Sequence, residues 1–169
     1  MIAGPDRPLL FLDVDGPLIP LRVRAAARAL ATNEGTGAAE ENRNPLIERL
    51  DPADGSKLLA LGCQLVWATS WMDDANDVIA PRLGLPRLPV VDFPDEDHET
   101  GRGLHWKTAY LARWAGMRPY IWLDDEITDT DRRWVRAHFP YAALLHRVDP
   151  FAGLGDADFA VIRRWLAAH

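Results

Sequence analysis

Cysteine and lysine are scarce in this chain of 169 residues. Cys63 is the only cysteine, so no internal disulfide can form, which fits a reducing, cytoplasmic compartment. Its place within an apolar run predicts a small buried side chain. Lys57 and Lys107 are the only lysines among 19 basic residues. A lysine retained against this arginine bias is worth testing for a functional position.

Long hydrophobic runs and an excess of positive charge are also missing. No stretch approaches the roughly 18 apolar residues of a membrane span, and the N-terminus has no basic region followed by a long apolar segment. We therefore expect a soluble, unexported, cytoplasmic protein with no membrane partner. The formal net charge of -6 argues against a generally basic nucleic-acid binder, although a local arginine cluster could still hold phosphates. The five histidines lack metal-ligand spacing, which argues against a zinc site.

The sequence does contain five apolar segments that alternate with helical patterns, which predicts an α/β fold with a parallel sheet. The strands are predicted over 9–14, 64–68, 88–92, 120–123 and 142–145, and helices over 21–31, 106–116, 129–138 and from 156 onward. The acidic stretch 92–103, with its glycines and proline, predicts a mobile surface loop. With no internal repeat and no linker, 1–169 is expected to be a single domain with one core.

The first strand ends in two aspartates, Asp13 and Asp15, followed at once by Gly16. Residues i and i+2 of an extended strand share a face, so both carboxylates are expected to face one site. In an open parallel sheet, ligands bind beyond the carboxyl ends of the strands. A simple Asp-Gly turn is the alternative interpretation, but the Pro17-to-Pro20 segment is a poor return strand.

Polar residues follow other predicted strands at the same edge of the sheet. Thr69 and Ser70 follow the second strand, where they could cap a helix or donate to a phosphate, and both functions use the same position. Asp124 and Asp125 follow the fourth strand, and Lys107 lies between these two motifs at the start of a helix.

In this order the motifs resemble those of the haloacid dehalogenase-like (HAD) superfamily of phosphohydrolases. The strings Trp-Ala-Thr-Ser-Trp, His-Trp-Lys-Thr and Trp-Leu-Asp-Asp-Glu resemble more narrowly the HAD domains of Swiss Army Knife RNA repair proteins. The resemblance implies a three-layer α/β/α sandwich, Rossmann-like, with a five-stranded parallel sheet in the order 5-4-1-2-3 and a minimal cap. It also implies a Mg²⁺-dependent phosphatase, a phosphoric monoester hydrolase.

Phosphoryl transfer requires an in-line nucleophile, neutralisation of the phosphate oxygens and help for the leaving oxygen. We assign Asp13 as the nucleophile that forms an aspartyl-phosphate, and Asp15 as the general acid and base. Thr69 and Lys107 are assigned as catalytic and phosphate-binding residues, with Gly16 and Ser70 also binding substrate.

The magnesium ligands are assigned to Asp13, Asp15, Asp124 and Asp125, with Asp15 contributing its backbone carbonyl as the resemblance implies. Asp125 could instead hold a metal-bound water or Lys107. Asp129 lies four residues beyond Asp125 and gives an alternative acidic motif that spacing does not exclude.

Two classes of substrate are candidates, a phosphorylated small molecule and a nucleic-acid phosphate end. A partner protein could supply the nucleic-acid affinity that this acidic chain lacks. The alternative function is a catalytically weak or inactive phosphate-binding or regulatory module.

Pro17 departs from the superfamily pattern and removes an amide donor from the site loop. Trp71 and Trp106 adjoin site residues and could contact substrate, with packing as the favoured interpretation.

Overall fold

The computed structural model describes residues 7–22, 45–94 and 103–169 of the chain. These residues form four strands and five α-helices: β1 (Leu9–Leu12), α1 (Pro52–Leu59), β2 (Gln64–Trp67), α2 (Ala80–Leu83), α3 (Thr108–Ala115), β3 (Tyr120–Asp124), α4 (Asp129–His138), β4 (Ala143–Arg147) and α5 (Asp156–Ala168). A 3-10 turn, Ile47–Arg49, precedes α1, and a π-helical turn, Ala75–Ile79, leads into α2.

Two sequence predictions fall largely outside the described residues. The helix predicted over 21–31 does so from residue 23 onward, and the loop predicted over 92–103 does so over 95–102. The minimal cap implied by the resemblance also stays a prediction. None of the helices in the described parts of the chain is long and apolar enough to cross a membrane.

The four described strands form one parallel sheet in the order β2-β1-β3-β4. The predicted α/β class with a parallel sheet is confirmed, but the predicted five strands in the order 5-4-1-2-3 are corrected to this four-stranded arrangement. The segment predicted as a strand over 88–92 makes a single parallel bridge, between Trp67 and Val90. Pro89 accepts a hydrogen bond from Trp67 N at 2.8 Å, but it has no N–H to continue the ladder.

Helices cover both faces of the sheet, and β1, which is apolar at every position, is buried between them. Leu10 and Leu12 join one buried cluster with side chains of α1, α2 and α5, and Leu9 and Phe11 join another with side chains of α3 and α4. This alternation follows from the period of two along a strand. A central parallel strand buried on both faces reads as a continuous hydrophobic run, as β1 does.

The helices predicted over 106–116 and 129–138 and from 156 are present as α3, α4 and α5. Thr128 caps α4: its side chain accepts from Asp131 N at 3.3 Å, and the Asp131 carboxylate accepts from Thr128 N at 2.7 Å. This reciprocal arrangement is a capping box, which satisfies two backbone donors at the helix start.

The helix expected after Thr69 and Ser70 is present, but it begins too late for these residues to cap it. Met72 has a φ of 49°, in the left-handed region, and a right-handed helix cannot run through that conformation. The helical backbone begins at Asp74, so Thr69 and Ser70 lie in a turn and do not cap a helix.

Candidate phosphotransfer site

The ends of the three adjacent strands β2, β1 and β3 bring the predicted motifs to one edge of the sheet. Leu12 is level with Trp67 on one side and with Leu123 on the other. The chain continues level beyond the strand ends, because Asp13 N donates to Leu123 O at 3.1 Å. Asp13 and Asp124 are therefore neighbours for the reason predicted, namely that parallel strands end at a shared edge.

A buried ion cluster occupies this edge. Lys107 Nζ lies 2.9 Å from Asp13 Oδ2 and 2.8 Å from Asp124 Oδ2. Asp124 is 0% exposed, Lys107 3% and Asp13 7%. Buried charges persist where they are paired and hydrogen-bonded, and here one ammonium holds two carboxylates together. Asp13 Oδ1 also accepts from Val14 N at 2.8 Å, which fixes the orientation of the carboxylate.

Asp125 provides a third carboxylate beside this pair. Oxygens of Asp13, Asp124 and Asp125 lie within 4.8 Å of one another. Asp129, the alternative for the acidic motif, is not in this group: its side chain is 86% exposed and pairs with Arg132 at 2.9 Å. The geometry therefore favours Asp125 over Asp129.

The donor set fits a divalent cation. Three carboxylates face one ammonium, which leaves two negative charges uncompensated if all groups are ionised. Magnesium favours carboxylate oxygens, together with water and phosphate oxygens. Asp13, Asp124 and Asp125 would hold the ion.

The acid–base properties reflect the same charge imbalance. Burial, and next the Asp124 carboxylate, raise the pKa of Asp13 to about 7, although Lys107 acts in the opposite direction. Burial and Asp124 likewise raise the pKa of Asp125. Burial alone would lower the pKa of Lys107, but the two carboxylates raise it, so the ammonium stays charged. An added positive charge would relieve the repulsion among these carboxylates.

Asp131 was not predicted from the sequence, yet it anchors the segment that carries Lys107. Its fully buried Oδ1 accepts from His105 N at 2.7 Å and from Thr108 Oγ1 at 2.7 Å. Its Oδ2 accepts from Thr128 N and from Thr128 Oγ1, both at 2.7 Å. Asp131 thus ties the start of α4 to the residues on either side of Lys107. The Thr-x-x-Asp capping pattern predicts only the contact with Thr128.

His105 is a second residue whose position only the structure reveals. Its Nδ1 accepts from Lys107 N at 3.1 Å, so in the neutral ring the proton is on Nε2, which lies 3.2 Å from Glu126 Oε2. His105, Asp124 and Glu126 also have ligand atoms within 4.8 Å of one another. The spacing of the histidines in the sequence gives no sign of this cluster, because Asp124 and Glu126 come from a different part of the chain.

Asp15 and the residues after β2 form the other side of the site. Asp15 is exposed, and its side chain is outside the carboxylate group of Asp13, Asp124 and Asp125. Asp13 and Asp15 were expected to share one face of an extended strand. They do not lie in the strand, because β1 ends at Leu12. Asp15 instead accepts a hydrogen bond from Trp71 Nε1 at 3.0 Å.

Thr69 and Ser70 have different environments. Thr69 is fully buried and its Oγ1 accepts from Trp71 N at 3.3 Å. Ser70 is exposed at the same strand end. Of these two predicted substrate-binding residues, the structure fixes Thr69 in the protein interior and leaves Ser70 on the surface.

Gly16 and Pro17 belong to a tight loop that closes on itself after the motif. Gly16 N donates to Ile19 O at 3.0 Å, and both Leu18 N and Ile19 N donate to Val14 O. Pro17 O accepts from Leu154 N at 2.9 Å, which ties the loop to the residues before α5. The loop therefore closes without an N–H at Pro17, because the amides of Gly16, Leu18 and Ile19 make these hydrogen bonds.

A parallel α/β fold with acidic side chains and a buried lysine at the carboxyl edge of its sheet is the arrangement expected of a HAD-type domain. The chain belongs to the family described as the HAD domain in Swiss Army Knife RNA repair proteins, which matches residues 9–159. The resemblance drawn from the motifs is confirmed. Comparisons with the curated proteins and with the solved structures found no match.

Proposed function

We propose that this chain is a Mg²⁺-dependent phosphomonoesterase that works through an aspartyl-phosphate on Asp13. The observation that carries the proposal is the buried contact of Lys107 with Asp13 and Asp124, beside Asp125. A carboxylate held against a fixed ammonium is a suitable nucleophile toward a phosphate whose own charge needs neutralisation.

The magnesium ion would be held by Asp13, Asp124 and Asp125, with the backbone carbonyl of Asp15 as a further ligand. When bound, it would neutralise charge on the phosphate oxygens. Lys107 and the hydroxyl of Thr69 would supply further positive charge and hydrogen bonding to the same phosphate. The exposed Ser70 would contact the phosphate from the surface side, whereas the Gly16 amide already donates to Ile19 O at 3.0 Å, so Gly16 would shape the loop beside the phosphate.

The reaction has two halves. In the first, an oxygen of Asp13 forms a bond to phosphorus, the bond from phosphorus to the leaving oxygen breaks, and Asp15 gives that oxygen a proton. In the second, Asp15 takes a proton from water as the water oxygen bonds to phosphorus, and the bond to Asp13 breaks. Phosphate leaves and both aspartates return to their starting states.

The substrate we propose is a phosphate end on a nucleotide or nucleic acid. The family occurs in RNA repair proteins, and the exposed Arg147 lies at the rim of the site, where its Nε donates to Asp125 O at 2.8 Å. The rest of the Arg147 guanidinium could contact a second phosphate of a longer substrate. A partner protein could contribute additional positive charge, because the chain itself carries a formal net charge of -6.

A phosphatase screen tests this proposal. Sugar phosphates, nucleotides and oligonucleotides phosphorylated at the 5′ or 3′ end are assayed with Mg²⁺ and with EDTA. Release of phosphate is expected with Mg²⁺ only, and Asp13→Asn is expected to lower turnover on the order of 1,000-fold or more. Asp129→Asn is the matched control, because Asp129 is an exposed aspartate outside the site.

Two results would contradict the proposal. Full turnover by the Asp13→Asn protein would exclude Asp13 as the nucleophile. Stable phosphorylation of Asp13 by a small phosphodonor, without release of phosphate, would instead indicate a phosphate-binding or regulatory module.

A further inference from the structure

A hydrogen bond joins the two halves of the site at its open side. Trp71 Nε1 donates to Asp15 Oδ2 at 3.0 Å, so a residue that follows β2 holds a residue that follows β1. Asp15 is exposed, whereas Trp71 is half-buried and packs against the core beneath the sheet. The indole is therefore the fixed partner in this pair, and the carboxylate is the group that it restrains.

The backbone around Trp71 is shaped to place the indole there. Trp71 N donates to Thr69 Oγ1 at 3.3 Å, and Met72 N donates to Thr69 O at 3.2 Å. Met72 then adopts a φ of 49°, which costs a non-glycine residue roughly 1–2 kcal/mol. This conformation delays the following helix, so Trp71 lies in the turn between β2 and that helix, where its indole reaches Asp15. Strained backbone of this kind is often kept where a site depends on it.

We propose that Trp71 is a positioning residue for Asp15, which rests on the phosphatase function proposed above. The indole N–H donates and cannot accept, so it engages Oδ2 as an acceptor and leaves Oδ1 of Asp15 without this contact. The side chain is thereby held in one orientation. Trp71 keeps Asp15 placed for the leaving oxygen.

The consequence depends on the leaving group. An alkoxide is a poor leaving group and needs the proton from Asp15, whereas a nitrophenolate leaves readily without it. Loss of the indole N–H should therefore slow hydrolysis of alkyl phosphates selectively. A general loss of folding or of phosphate binding would slow both substrates equally.

The kinetic experiment compares Trp71→Phe with the wild-type chain on glycerol 2-phosphate and on p-nitrophenyl phosphate, both with Mg²⁺. We expect kcat to fall about tenfold for the alkyl ester and less than about twofold for the aryl ester. Trp71→His, which keeps a ring N–H, should restore part of the difference. Trp165→Phe, on α5 and away from the site, is the control and should leave the ratio of the two rates unchanged.

A double-mutant cycle and a spectrum complete the test. In an Asp15→Asn background, Trp71→Phe should cause no further loss on the alkyl ester, because the group it positions is already gone. In a ¹⁵N-labelled sample, Asp15→Ala should move the indole N–H resonance of Trp71 and leave that of Trp165 in place.

Equal losses on both esters, an undiminished effect in the Asp15→Asn background or an unmoved Trp71 resonance would each overturn the proposal. Failure of the wild-type chain to hydrolyse either ester would count against the phosphatase function. The resonance shift does not depend on turnover, so it would still report whether Trp71 restrains Asp15.

Discussion

Gly16 lies where the chain turns away from the motif aspartates, and both its conformation and its surroundings require glycine. Its φ is 87°, and a Cβ added there would lie 2.6 Å from Asp125 Cγ. Gly16 therefore lets the Asp125 carboxylate approach the backbone of the motif loop. A side chain at this position would have to displace the third carboxylate of the site.

Gly16→Ala should lower the free energy of unfolding by about 2–4 kcal/mol, because backbone strain and a clash add together. The comparison is Gly62→Ala, where φ is 72° but nothing lies within 4 Å of the added Cβ. That variant should cost only the strain, about 1 kcal/mol. Urea unfolding of both variants measures the difference, and equal costs would show that Asp125 does not limit the space at Gly16.

At the scale of elements, Asp131 connects the capping box of α4 to the segment that carries Lys107. A buried carboxylate that accepts four hydrogen bonds has no substitute among neutral side chains, since asparagine has one oxygen. Two of the donors are backbone amides, of His105 and Thr128, which cannot turn away. The position of Lys107 depends on this connection between elements.

Asp131→Asn should destabilise the fold by about 2–3 kcal/mol, because one backbone N–H then faces the amide group of asparagine. Asp129→Asn, on the same first turn of α4 but exposed, should change stability by less than about 0.5 kcal/mol. Urea unfolding at neutral pH checks both values. Comparable effects of the two substitutions would contradict the role given to Asp131.

The destabilisation by Asp131→Asn should also depend on pH. Burial would raise the pKa of Asp131, but the hydrogen bonds from Thr108, Thr128 and His105 outweigh it and lower the pKa below the ordinary value of about 3.9. A lowered pKa means that the stabilisation is complete above the unfolded value and is lost as pH falls through the folded one. The difference between wild type and Asp131→Asn should be constant near neutral pH and shrink below about pH 4. A difference that grew in acid would have the wrong sign.

For the molecule as a whole, the site concentrates negative charge in a chain that is already acidic. A cation that binds the folded state and not the unfolded chain raises the stability of the whole fold. For a dissociation constant near 1 mM, 10 mM Mg²⁺ would add about 1.4 kcal/mol.

That increment predicts a rise in Tm of about 3–6 °C on addition of Mg²⁺, reversed by EDTA. Asp125→Asn should abolish most of the rise, and Asp129→Asn should keep it. Asp125 is half-buried, so its substitution should leave a folded protein for the measurement. An equal rise in the Asp125→Asn chain would mean that Mg²⁺ binds elsewhere.

The central strands and three of the helices were predictable because they depend on local pattern. The apolar run of β1, buried on both faces, and the Thr128 cap of α4 both depend on residues that are close together in the sequence. The predicted strand over 88–92 is reduced to one bridge because Pro89 cannot donate to a ladder, and the helix after Thr69 begins later than expected because Met72 has a left-handed φ. Neither difference could be predicted from the periodicity of the sequence, because each depends on a single backbone position.

The sequence by itself determined which residues reach the carboxyl edge of the sheet, because strand ends and motif spacing are local properties. Only the tertiary structure placed Asp125 rather than Asp129 beside Asp13 and Asp124, tied Asp131 to residues near Lys107 and brought Trp71 to Asp15. These contacts join residues far apart in the chain, and their geometry depends on how the elements pack. Side-chain type and spacing therefore predict which groups reach the site, whereas packing determines what holds each of them in place.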